Sequence, residues 1–147
     1  MKKPRKKSPR QHADGLLRKA ANDLIAAHAT WSTGLALDTV CFHAQQAVEK
    51  SLKAILAFYD IPYPRSHNLA VLLKQAVAYF SLLKRYQAAI EQMTPFAVEI
   101  RYDEDFNPSK ITARKTLHAA DRIHGLVASS LKNRRKPAAL EKIKGKS

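Results

Sequence analysis

Three clusters in this sequence carry residue types that could bind or transfer charge. The first is His43, Gln46, Glu49, Lys50 and Lys53, whose spacing sets them along one side of a helix. Two ammonium groups beside an imidazole suit a phosphate; the plain alternative is a wet helix face with pairs such as Glu49–Lys53 at i, i+4. Phe42 falls inside this polar stripe, and a lone apolar ring beside Gln46 marks an interface. The second cluster is Pro64-Arg65-Ser66-His67-Asn68, where His67 either meets a ligand or bonds to backbone in a helix-capping loop. The third is Arg101-Tyr102-Asp103. There a guanidinium and a phenol ring suit a phosphate and a stacked base, unless Arg101 simply pairs with Glu49 or a nearby Asp. Lys50, Lys53, His67, Arg101 and Tyr102 are therefore the candidate nucleotide- or phosphate-binding residues, with Phe42 and Gln46 as candidate interface residues. Arg114 and His118 form the candidate catalytic pair. They share a helical face at i, i+4, and metal-free RNA cleavage needs an acid–base group at the ribose 2′-OH and a cation at the phosphate.

Other chemistries are poorly served. The histidines at 12, 28, 43, 67, 118 and 124 include no i, i+4 pair, so no metal site is expected. The single cysteine, Cys41, projects to the core side of its helix and excludes a disulfide framework within the chain. Four glycines in 147 residues leave no Gly-rich phosphate loop and argue against a sandwich or barrel. No cofactor motif is present. No apolar run approaches the length of a membrane span, and the basic start leads into Gln11-His12-Ala13-Asp14 rather than a signal-peptide core. The expected compartment is the cytoplasm.

The elements that must position these clusters are helical almost throughout. The spacing predicts a first helix over about 13–29, with Leu16, Leu17, Ala20, Leu24 and Ala27 inward, broken at 30–34. A second, over about 36–59, turns Leu37, Cys41, Ala44, Val48, Leu52, Ile55 and Tyr59 to the core and its polar stripe to solvent. Asp60 and Pro62 end it, and the proline-rich segment 61–67 is extended. A third helix is expected over about 68–80, with Leu69, Leu72, Leu73 and Ala76 inward, and a fourth over about 82–100, kinked or restarted at Thr94-Pro95. A fifth, over about 110–132, begins at Ser109 and buries Leu117, Ala120, Ile123, Val127 and Leu131. The fold class is all-α: an up-and-down bundle of four main helices plus a short extra one.

The net charge of +14 sits at the ends. Residues 1–10 hold six Lys/Arg and no acid, and residues 132–147 hold seven against Glu141 alone. The span between them is nearly balanced, with 13 basic and 11 acidic residues. This divides the chain into a basic, disordered tail at 1–11, a bundle at 12–132 and a second basic tail at 133–147. Such tails attract phosphate backbones without reading sequence, or serve only to solubilise.

The segment Gln46-Ala47-Val48-Glu49-Lys50-Ser51-Leu52-Lys53-Ala54 resembles the central-helix signature of the HEPN domain family. His67-Asn68-Leu69 is similar to the family's His-x-Leu opening of the next helix, and Arg101-Tyr102 to its Arg-Tyr-Pro element, with Asp103 in place of proline. Ala20 to Leu24 match the pattern of its first helix. The motifs keep their order from about residue 13 to 131. The resemblance implies a bundle that commonly dimerises and works on RNA or nucleotides, in many bacterial members beside a minimal nucleotidyltransferase as a toxin–antitoxin pair. It also implies, for other members, a metal-independent endoribonuclease with an Arg, four to six residues, then a His. Here three residues separate Arg114 from His118, and one residue separates Arg122 from His124 and Arg65 from His67, so that motif is absent. The expected function is accordingly a nucleotide- or RNA-phosphate-binding module, a homodimer acting with a nucleotidyltransferase subunit. The alternatives are a ribonuclease toxin with a degenerate Arg/His pair and a purely structural interaction module.

Overall fold

The computed structural model describes residues 2–97 and 102–134; Arg101 and the second basic tail beyond Arg134 lie outside them. All regular structure among the described residues is helical, which is the all-α bundle expected from the periodicity.

Helix α1 runs Pro9–Thr33. It starts earlier than its apolar stripe, because Ser8 supplies a complete capping box. The Ser8 hydroxyl accepts from the Gln11 N–H, the Gln11 side chain accepts from the Ser8 N–H, and Pro9 is pre-set for the first turn. Pro9, Arg10 and Gln11 thus belong to the bundle rather than to the tail. The helix also passes straight through 30–33 and stops at Gly34, whose φ of 70° needs no Cβ.

Helix α2, Leu37–Phe58, is the axis of the molecule. Helix α1 returns along it after a tight connection, helix α3, Leu69–Val77, crosses it, and the last helix covers its remaining side. Consequently α2 has no wet side of the kind its polar stripe suggests. Val40, Ala47, Ala54 and Leu56 are buried along with the predicted core row from Cys41 to Tyr59, Leu37 being only partly buried, and so are Gln45, Glu49 and Ser51. The apolar period reports only the face with the largest side chains. Small residues at Ala44, Ala47 and Ala54 let neighbouring helices close in on the others.

Asn68 caps α3 through the Ala70 N–H, and Leu69, Leu72, Leu73 and Ala76 are buried as expected. The predicted long fourth helix is instead segmented. A 3-10 turn over Ser81–Tyr86 leads into helix α4, Gln87–Met93, followed by a second 3-10 turn over Thr94–Ala97. Pro95 cannot donate into an α-helical ladder, and the Thr94 hydroxyl is drawn away to accept from the Leu69 N–H at 3.2 Å. Helix α5, Lys110–Asn133, is capped by Ser109 and buries Leu117, Ala120, Ile123, Val127 and Leu131.

Helices α1 and α5 are antiparallel. His28 meets Asp121 near one end, His124 bonds the Leu17 carbonyl, and Arg10 reaches the carbonyls of Lys132 and Arg134 at the other end. Those carbonyls are the unpaired acceptors at a helix C-terminus, so a guanidinium there is favoured by both hydrogen bonding and the helix dipole. Arg134 in turn donates to the Tyr59 hydroxyl and the Tyr79 carbonyl and lies over the Phe80 ring.

Leu52 is fully buried at the middle of α2. Leu52→Ala is expected to lower unfolding free energy by about 3 kcal/mol, read by urea denaturation, because helices on several sides prevent collapse around the cavity.

Candidate functional site

The Glu49 carboxylate is the centre on which the first two sequence clusters converge. It is 3% exposed and projects from the buried part of α2. Lys53, one turn later, donates to its Oε1 at 2.8 Å. His67, delivered by the proline-rich segment just before α3, places Nδ1 3.1 Å from both carboxylate oxygens. Gln45 and Gln46 each direct an amide nitrogen at Oε2 from 3.3 Å, and Gln46 also donates to the Gln45 oxygen at 2.7 Å. The expected backbone bond of the His67 ring is not made. The ring goes to Glu49, and the backbone oxygen of His67 accepts from Gln45 instead.

This arrangement fixes the chemistry of His67. Its Nδ1 carries the proton that Glu49 accepts, which leaves Nε2 with no partner among the described residues on a side chain 64% exposed. Lys53 is more enclosed, and its ammonium lies 5.6 Å from the centre of the Tyr63 ring. Two groups that favour anions thus stand at the surface end of a buried carboxylate.

Lys50 does not join them. It turns toward α1 and pairs with Asp23, whose other oxygen is 3.0 Å from His43 Nδ1. The polar stripe of α2 therefore splits into an Asp23–His43–Lys50 group that ties α1 to α2 and a Glu49–Lys53–His67 group that faces outward through His67. Gln46 is held in the second group. Phe42 is half-buried and stands edge-on to the His43 ring at 5.3 Å. Tyr102 is 83% exposed. Arg101 lies outside the described residues, so its expected pairing with Glu49 does too.

Arg114 and His118 are both exposed on α5, and among the described residues neither is held by a hydrogen bond. Cys41 is buried, and that burial pushes its thiol up to about 11, which makes it an inert core residue. Among the described residues no group of three or more His, Cys, Asp or Glu side chains could hold a metal ion, and no helix is long and apolar enough to cross a membrane.

Asp23 and Gln45 are the polar partners in these two groups that periodicity passed over. Each was legible as a polar residue on the side of its helix that otherwise carries apolar neighbours, Leu24 and Ala27 for Asp23, Cys41 and Val48 for Gln45.

Burial raises the Glu49 carboxyl, but hydrogen bonds and charge from Lys53 and His67 outweigh it and hold the group below the ordinary carboxylate value. A carboxyl whose folded value is depressed contributes its full stability above the unfolded value of about 4.3 and loses it as pH falls through the folded value. Glu49→Gln is expected to cost about 3 kcal/mol at pH 7, since Lys53 is left without its counter-charge. In urea titrations at descending pH, the gap between parent and variant should begin to narrow below the unfolded value of about 4.3 and close as the pH falls through the lower folded value, where the parent carboxylate also becomes neutral.

A family model for the HEPN domain matches residues 13–132. Comparison with curated proteins gives no match. Among solved structures, the crystal structure of an archaeal HEPN homologue aligns with a TM-score of 0.65 at 21% identity, covering 82% of this chain and 98% of that one. At that identity the likeness is one of fold, and it agrees with the helical order derived above. The match over most of the bundle, together with the fold that carries it, places this chain in the HEPN family.

Proposed function

We propose that the chain is a nucleotide- and RNA-phosphate-binding module that acts as a cytoplasmic homodimer beside a nucleotidyltransferase subunit, as one half of a toxin–antitoxin pair. The observation that supports the binding role is the orientation of His67 by Glu49. A histidine whose Nδ1 is committed to a buried carboxylate presents Nε2 outward in a fixed direction. In the doubly protonated form of the ring, Nε2–H donates to a phosphate oxygen while Nδ1–H stays on Glu49. Lys53 adds a positive charge at the same end, and Tyr102, on the segment that follows Arg101, offers an exposed ring for a base. Binding is favoured over catalysis because the described surroundings of Arg114 and His118 orient neither of them, whereas His67 is oriented. The dimer reading rests on Phe42, edge-on to His43 of the Asp23–His43–Lys50 group, and on Gln46 one turn further along α2, bonded to Gln45 and Glu49.

His67→Ala is expected to weaken adenosine monophosphate binding at least tenfold by calorimetry at a temperature where both proteins are folded, and to lower the melting temperature, because Glu49 keeps Lys53 but loses its second cationic partner. Unchanged affinity removes His67 from the site. Phe42→Glu should convert a dimer to a monomer of near-normal helicity, measured by light scattering and circular dichroism; a surviving dimer places the interface on another face.

A further inference from the structure

The basic tail and the first turns of α1 line two adjoining shallow grooves. Arg5, Lys6 and Lys7 face Gln11, Asp14 and Arg18 across the first. The second continues along α1 past His12, Arg18 and Lys19 to Asn22. Lys7 and Arg18 belong to both, so the two form one track. From Gln11 to Asn22 the helix rises roughly 17 Å, enough for about five successive phosphates of one strand. Arg5, Lys6, Lys7, Arg18 and Lys19 line it, against the single acid Asp14, and among the described residues none of these cations has a carboxylate within salt-bridge distance. This contrasts with Lys50 and Lys53, each of which has a carboxylate partner, Asp23 and Glu49.

We infer that this track is a docking surface for a nucleic-acid phosphodiester backbone, separate from the Glu49 site. Charge complementarity selects a polyanion. The shape selects a strand over a membrane, because a membrane-seeking helix needs large apolar side chains exposed beside its cations. The exposed large apolar residues begin only at Ile25, beyond the track. The contact is sequence-independent, since ammonium and guanidinium groups on phosphates carry no base information. Near its tail-side end the track connects toward the candidate site: His12 Nε2 lies 3.2 Å from the Tyr63 hydroxyl, and the Tyr63 ring lies under Lys53. The track stands without the nucleotide reading; only its continuation toward Lys53 rests on it.

The test is fluorescence anisotropy of the full chain with a labelled single-stranded RNA at a series of potassium chloride concentrations. Each phosphate contact contributes about 0.7 to the slope of log affinity against log salt. The Arg18→Gln/Lys19→Gln double variant should flatten the slope by about 1.4, and Lys74→Gln/Lys84→Gln, which changes net charge equally in a different groove, should leave it unchanged. An unchanged slope in the first variant overturns the track, as does an equal change in the second. Loss of binding to phosphatidylserine vesicles with RNA binding intact overturns it in favour of a membrane. Adenosine monophosphate calorimetry on the same proteins separates the two proposals. His67→Ala that leaves nucleotide binding intact removes the site and not the track, and a flat salt response in the Arg18/Lys19 variant with nucleotide binding intact keeps the track and the site.

Discussion

A carboxylate buried in the central helix is the constraint around which the bundle is arranged. Glu49 is too deep to be hydrated, so its charge must be met by protein groups. Lys53 comes from its own helix and costs nothing in topology. His67 comes from eighteen residues away, and its delivery requires the segment after α2 to run back along that helix before α3 starts. The prolines at 62 and 64 keep this segment extended over the return. The Asn68 cap then begins α3 at the residue after the one that had to be placed. One buried charge thereby fixes where two helices end and begin.

The second polar group performs a different task with similar residue types. Asp23 lies between His43 and Lys50 and joins α1 to α2 through their middle turns. A bundle of apolar helices can slide along its grooves with little loss of buried area, whereas an ion pair has one register. Having both oxygens of Asp23 engaged by residues seven apart on α2 sets the height of α1 against it. The cluster is structural even though its members resemble a binding site in the sequence.

How much of this could be read from the chain follows from what each residue answers to. The helices α1, α2, α3 and α5 were legible because Leu24, Leu52, Leu72 and Ile123 recur at helical spacing over many turns. The start of α1 was missed because its signal is polar: Ser8 and Gln11 cap each other in a stretch whose lysines dominate the composition. The fourth helix was over-extended because Ile90, Met93 and Phe96 keep helical spacing through a segment whose backbone tightens into 3-10 turns. Of the site, Lys53 with Glu49 was readable from i, i+4 spacing, and Lys50 looked equivalent to Lys53. Only the third dimension separates them, since Asp23 of α1 meets Lys50 while His67, from the segment before α3, meets the carboxylate that Lys53 also holds.

The reach of Arg10 to the carbonyls of Lys132 and Arg134 spans sequence separations of 122 and 124 residues. It closes the chain into a ring in which the first helix to be made and the last are held by the same contact. Opening such a loop releases entropy that grows only slowly with its length, so the penalty for closing it is modest while its effect on cooperativity is large. A stack of repeats can fray from either end, because each unit touches only its neighbours. Here neither terminal helix can peel away alone, since removing α1 uncovers the end of α5 and removing α5 strips the cation from its acceptors. The Ser8–Gln11 box holds the first turn of α1 locally, while Arg10 makes the ends of α1 and α5 depend on one another, so the two ends open to solvent together.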